Sequence, residues 1–175
     1  MSIRSGFLRI LSERECLILE RANVYLDIVL RIIGDGEICG MPEAAVQEIG
    51  LKHIVKYYGA RTDTSMQSAL FDIFTFPSLW EYMPIVPMEA IAARVLIAAS
   101  KIDGISGLAR DGIEVLLGPP KDTDALQNAI LKLLRNSEIG IKRRERSFSR
   151  VKEMFGVEVM AKKIELIYSR LLDRS

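Results

Sequence analysis

Two carboxylates eight residues apart, Glu81 and Glu89, flank Pro84 and Pro87 in the segment Phe76-Pro77-Ser78-Leu79-Trp80-Glu81-Tyr82-Met83-Pro84-Ile85-Val86-Pro87-Met88-Glu89-Ala90. A pair of acids can act together on a ligand only if the chain brings them to one place. On an unbroken helix they would lie about 12 Å apart along the axis, at about 1.5 Å per residue. The prolines forbid that helix, because a mid-helix proline loses a hydrogen bond and clashes with the preceding turn. The segment reads instead as a strand end, a loop carrying Glu81, and a helix starting near Val86 with Pro87 in its first turn. Glu89 then falls about one turn into the helix. Both acids can face a ligand held at the helix N-terminus, where unpaired N–H groups and the positive dipole end suit a phosphate. The alternative is two solvated carboxylates at a helix start.

A loop of this kind needs a rigid frame, and the rest of the chain reads as one. Short apolar runs at residues 28–33, 54–58, 73–76, 95–99 and 115–117 are β-branched or aromatic, as strands buried on both faces are. They alternate with amphipathic stretches at 7–22, 42–49, 65–71, 86–93 and 104–110, the pattern of a parallel sheet with crossover helices. Gly118-Pro119-Pro120 stops the sheet, and Asp122 or Asp124 can cap a helix that buries Leu126, Ile130, Leu131 and Leu134. Two further helices are expected over 139–155 and 159–172. The prediction is α/β: a single doubly wound, Rossmann-like domain with a parallel sheet.

Composition narrows the function. With 175 residues, 49% of them apolar, and a formal charge of +1, the chain has the size and balance of one globular domain and no global attraction for nucleic acid. Cys16 and Cys39 have no metal or redox spacing, which favours a reduced, cytoplasmic setting. The one histidine, His53, cannot build a histidine-rich metal site and reads as structural. No apolar run approaches the ~18 residues of a membrane span, and charges at Arg4, Arg9, Glu13, Arg14 and Glu15 break any signal-peptide layout.

In a doubly wound sheet, ligands sit outside the carboxyl ends of the strands. Gly34-Asp35-Gly36 follows a predicted strand directly, but Cys39 stands where the dinucleotide fingerprint needs its third glycine. A tight turn and a ligand contact both account for it. Gly59, Ser78, Ser100 and Asp103-Gly104 mark the other strand ends.

The order of these pieces carries a resemblance. Leu30-Arg31-Ile32-Ile33-Gly34-Asp35-Gly36 is followed by Val55-Lys56-Tyr57-Tyr58-Gly59, then by Asp72-Ile73-Phe74-Thr75-Phe76-Pro77-Ser78 and the glutamate pair. The turn at Gly104, Asp111-Gly112, the segment 120–126 and the ending Lys163-Ile164-Glu165-Leu166-Ile167-Tyr168 complete the series. From about Gly6 onward the chain resembles the C-terminal, nucleotide-sugar-binding domain of family 4 glycosyltransferases of the two-Rossmann-domain (GT-B) architecture. The resemblance implies a donor-binding domain for retaining hexosyl transfer to a glycan or lipid-linked acceptor. It implies that Glu89 hydrogen-bonds the ribose, that Glu81 faces the donor sugar near its reacting centre, and that backbone N–H groups from Tyr82 and Met83 to Ile85 and Val86 hold sugar and diphosphate. Gly34, Gly36 and Ser78 belong to the same expected donor site. No cofactor is implied, because fixed N–H dipoles can stabilise the departing nucleoside diphosphate without a metal.

The chain departs from the family pattern at several points. Only Arg4-Ser5-Gly6-Phe7 stands where a basic pair grips the diphosphate, with serine in the place of lysine, so the domain over residues 1–175 is expected to have a truncated or missing first strand. Arg4 is the partial substitute. Tyr82, Arg94 and Glu114 stand at family glycines, Leu96 at a frequent proline, and Gly107 where the family tends to carry a glutamate. The acceptor half of such an enzyme does not fit in this length, so an acceptor-binding domain or subunit in trans is the expected partner and turnover by this chain alone is not expected. Two other readings stand beside it: a catalytically inactive domain acting through protein association, and another two-Rossmann-domain enzyme such as a sugar-nucleotide epimerase. The basic run Lys142-Arg143-Arg144-Glu145-Arg146, with Arg150 and Lys152, is a solvated helix face or a peripheral contact with the inner face of a membrane. Trp80 either stacks on a ligand or packs the loop, and the C-terminal helix docks on this domain or on the absent partner.

Overall fold

The computed structural model describes residues 3–7, 28–33, 46–48 and 50–172. Its centre is a six-stranded parallel sheet in the order β3-β2-β1-β4-β5-β6. The strands are β1 (Ile3–Phe7), β2 (Ile28–Ile32), β3 (Val55–Tyr57), β4 (Ile73–Phe76), β5 (Leu96–Ser100) and β6 (Leu116–Gly118). The helices with described bounds are α1 (Thr64–Ser68), α2 (Ile85–Ala92), α3 (Asp103–Leu108), α4 (Thr123–Arg135), α5 (Ser137–Phe155) and α6 (Val157–Leu172), with a 3-10 turn at Leu51–His53; residues 46–48 are helical as well. The expected doubly wound α/β architecture is present. Of the candidate helix over 7–22, Phe7 instead ends β1, and residues 8–22, like both cysteines, lie outside the described residues.

A first strand is present where the sequence reading expects a truncated or missing one. Ile3–Phe7 pairs in parallel with β2 on one side and β4 on the other, with Ser5 opposite both Leu30 and Ile73. A strand of sequence Ile-Arg-Ser-Gly-Phe has little intrinsic β preference, and its neighbours supply the order that propensity does not.

Period-two alternation sorts the core onto two faces. Phe74, Phe76, Ile97 and Ala99 join Ala90 and Ile91 of α2, Ile105 and Leu108 of α3, and Val115 in one buried cluster. Ile73, Leu96, Ala98 and Leu116 turn the other way, onto Leu126, Ala129 and Leu133 of α4. Of the two possible caps for α4, Asp122 takes the role, accepting a hydrogen bond from the Ala125 N–H at 2.8 Å. His53 lies in an exposed turn, its Nδ1 3.1 Å from the Gly50 carbonyl oxygen.

The basic run on α5 is neither wholly solvated nor a flat basic face. Arg143 is buried and donates from Nη1 to the Val115 carbonyl at 3.0 Å, and burial pushes its guanidinium below its ordinary value. Arg150 donates to the Leu108 carbonyl at 3.1 Å and Arg144 to that of Asp72. These three arginines fasten α5 to the residues just before β6 and β4 and to the end of α3, while Lys142, Arg146 and Lys152 stay exposed. Helix α6 buries none of its residues; Met160, Ile164, Ile167 and Leu171 remain exposed on it. It therefore does not dock its apolar face on this domain.

Candidate functional site

The strand order reverses between β1 and β4, which opens a crevice at their carboxyl ends. The loop after β4 emerges there. It carries Ser78, Trp80, Glu81, Tyr82 and Met83 from Phe76 to the start of α2 at Ile85. Phe74 and Phe76 hold its root, fully buried and stacked with ring centroids 6.0 Å apart. Pro84 occupies the N-cap position with extended backbone and makes no side-chain cap. A helix start without a cap leaves its first N–H groups open to a ligand. Pro87, buried in the first turn, has no N–H to offer, so Ile85 and Val86 carry the open donors. The first turn holds no acidic residue that would repel an anion.

Both glutamates are half-buried: Glu81 in this loop, Glu89 in the second turn of α2. The predicted helix start moves by one residue, and the proline argument otherwise describes the segment. Trp80 is 82% exposed and Tyr82 96%, so the reading of Trp80 as a packing residue is set aside. With Leu79, Met83 and Ile85 also exposed, the loop presents an apolar rim beside its two acids. Arg4 lies inside β1, opposite Val29 and three residues before the strand ends, about 10 Å short of the crevice at ~3.3 Å per residue. Gly34 and Gly36 fall outside the described residues.

The three substituted glycine positions are accommodated in three different ways. Among the described residues only Arg94 and Lys121 are non-glycine residues with positive φ. Tyr82 therefore needs no glycine backbone, and its ring points into open space. Arg94 does sit in the left-handed region, at φ 59°. Its guanidinium compensates by pairing with Glu145 and lying 4.4 Å from the Phe148 ring centroid, both on α5. Left-handed backbone costs an alanine about 1 kcal/mol relative to glycine. Arg94→Ala is accordingly expected to keep the strain and lose both contacts, destabilising the domain by about 1–2 kcal/mol. Arg94→Gly should fall closer to wild type, reversing the usual preference for alanine. Urea denaturation of both variants tests this, and an alanine variant as stable as the glycine one would contradict it.

Glu114, the third, is 1% exposed. Its Oε2 accepts from the Arg110 N–H at 2.8 Å, and its carboxylate pairs with the Arg110 guanidinium, closing the turn before β6. Ser147 of α5 donates to the Glu114 carbonyl at 2.7 Å. Burial pushes the Glu114 carboxyl up, but the Arg110 side chain and N–H, with the charges of Arg110 and Arg150, more than reverse this and hold it below its ordinary value.

Sequence reasoning missed the support beneath the loop. Gly104 at the start of α3 packs directly under Glu81, Tyr82 and Pro84. The same flank walls a cavity of about 230 Å³ between Met83, Met88, Asp103, Gly107 and Phe155. Gly104 was legible only as a strand-end glycine. What it touches depends on tertiary packing.

The family described as Glycosyl transferases group 1 matches residues 6–136. The UDP-Gal:alpha-D-GlcNAc-diphosphoundecaprenol alpha-1,3-galactosyltransferase of Escherichia coli is 29% identical over 120 residues, covering 68% of this chain and 31% of that protein. The phosphatidyl-myo-inositol mannosyltransferase of Mycobacterium leprae is 32% identical over 113 residues, covering 63% and 29%. Among solved structures, Anabaena HepE in complex with UDP superposes with a TM-score of 0.87 at 20% identity, covering 97% of this chain and 49% of its own. The sucrose-phosphate synthase of Thermosynechococcus elongatus gives 0.82 at 23% identity, covering 98% and 46%. This chain thus spans about a third of those two relatives and about half of the solved neighbours. Among the described residues, no helix is long and apolar enough to cross a membrane.

Proposed function

The chain belongs to the group 1 glycosyl transferases, and from that premise we propose that it is the nucleotide-sugar-binding, C-terminal half of a family 4, retaining GT-B enzyme. The observation that carries the reading is the seat of the glutamate loop at the switch point between β1 and β4, with an uncapped helix start beside it. In this reading the Ile85 and Val86 N–H groups take the diphosphate, Glu89 the ribose hydroxyls and Glu81 the sugar. Departure of the nucleoside diphosphate builds negative charge that fixed N–H dipoles stabilise, so no metal is needed. HepE has been solved with UDP-glucose as well as UDP, which supports a nucleotide sugar as the ligand class. In this reading Arg4 of β1 partly substitutes for the missing basic pair at the diphosphate. Transfer of the hexosyl group to a glycan or lipid-linked acceptor requires a second domain or subunit facing the apolar rim of Trp80, Tyr82 and Met83.

Calorimetry with a panel of uridine- and guanosine-diphosphate sugars tests the proposal. Saturable 1:1 binding without added metal is expected, and no heat with any member of the panel sinks it. A second reading, an inactive domain acting through protein association, is favoured by the exposed apolar side of α6. Light scattering after size exclusion separates the two: a monomer that binds a nucleotide sugar excludes the second.

A further inference from the structure

Gly104 is buried at the start of α3, under the glutamate loop. A Cβ at this position would lie 2.7 Å from the Glu81 carbonyl oxygen, 2.8 Å from that of Tyr82 and 2.8 Å from Pro84 Cδ. Two of these atoms are backbone and the third belongs to a proline ring at the helix cap, so none can swing aside. Gly107, one turn along the same helix, would place its Cβ within 4 Å of nothing. The need for glycine is thus confined to the contact with the loop.

We propose that Gly104 is the positioning residue of the glutamate loop, holding the Glu81–Pro84 backbone so that the N–H groups of Tyr82 and Met83 point away from α3 and into the crevice. The orientation follows from peptide geometry. No cis peptide bond occurs among the described residues. In a planar trans peptide the N–H points opposite to the carbonyl that precedes it. The carbonyl oxygens of Glu81 and Tyr82 are the backbone atoms nearest to Gly104, so these two carbonyls face α3. The N–H groups of Tyr82 and Met83 therefore face the other way. Neither donates to a backbone carbonyl among the described residues. Two adjacent N–H groups aimed together form an anion-binding concavity. Their use on the sugar and its adjoining phosphate rests on the function proposed above; their orientation does not.

The test compares Gly104→Ala with Gly107→Ala in the full chain. Amide resonances of Tyr82 and Met83, read by NMR without ligand, should move in Gly104→Ala and stay in place in Gly107→Ala. Affinity for the nucleotide sugar that the wild type binds should fall about 10- to 100-fold in Gly104→Ala. Affinity for the free nucleoside, held by Glu89 on α2, should be unchanged, which a loss of overall stability would not reproduce. Unmoved amides in a folded Gly104→Ala variant overturn the proposal, as does equal weakening of nucleoside and nucleotide sugar. If the wild type binds no nucleotide sugar while the amides still move, the functional reading fails and the positioning role stands. Should Gly104→Ala not fold, hydrogen exchange on the wild type decides. Slowed exchange at Tyr82 and Met83 on ligand binding supports the proposal, and unchanged exchange in the bound protein overturns it.

Discussion

Replacing Glu89 by glutamine is expected to lower affinity for the bound nucleotide sugar about 10- to 100-fold, the loss of a charge-assisted hydrogen-bonding group at about 1.5–3 kcal/mol. The expectation comes from where the side chain stands. Glu89 lies one turn behind the open Ile85 and Val86 donors, on a helix anchored by buried Pro87, Ala90 and Ile91. A carboxylate at that distance from the helix end proposed to hold the phosphates suits the next part of a nucleotide, its ribose. Because the side chain is only half-buried, the substitution should move the unfolding midpoint little. A ligand lacking both ribose hydroxyls should lose affinity for the wild type and show no further loss with Glu89→Gln. Trp80, the one tryptophan in the chain, gives a fluorescence signal beside the site for these titrations. Equal affinity of wild type and Glu89→Gln for every nucleotide sugar would remove Glu89 from the site.

Much of the frame was legible because local chemistry and tertiary role agree. Ile73–Phe76 reads as a strand from its apolar run, and the structure places β4 on those residues. The start of α2 was within a residue because two prolines leave few options. Helix α1 ends three residues before the predicted limit, since Leu70 and Phe71 bond back to Gln67 and Ser68 in tighter turns. β1 was missed because Arg4, Ser5 and Gly6 carry no strand signal, and only its position between β2 and β4 makes them one. Arginines on α5 read as surface because arginine is usually exposed. Burial of Arg143 depends on the Val115 carbonyl, which no local pattern connects to it. The support that Gly104 gives the glutamate loop is a contact of the same nonlocal kind. Those that were missed share one cause: each role is set by a partner distant in sequence.

Glu114→Ala is expected to destabilise the domain by about 2 kcal/mol, because it strips a partner from the Arg110 N–H and removes the ion pair that closes the turn. The Arg110 side chain is 58% exposed, so water takes up its guanidinium and the loss stays below that of a fully buried pair. Glu114→Gln isolates the charge. It retains an acceptor for the N–H and should cost about 1 kcal/mol at neutral pH. The folded-state pKa of Glu114 is depressed, so its ionic contribution is present above the unfolded carboxylate value and lost as pH falls through the folded one. The difference between wild type and Glu114→Gln should therefore be full at pH 7, shrink from about pH 4, near the ordinary glutamate value, and vanish in stronger acid. Urea midpoints across that range measure it, and a difference independent of pH would mean that the carboxylate acts by shape alone. Because the Glu114 carbonyl also receives the Ser147 hydroxyl, the turn is a joint between β6 and α5. Loosening it should lower stability while leaving nucleotide-sugar affinity nearly intact, the converse of the Glu89 result, since neither Glu114 nor Arg110 is among the residues packed around the glutamate loop.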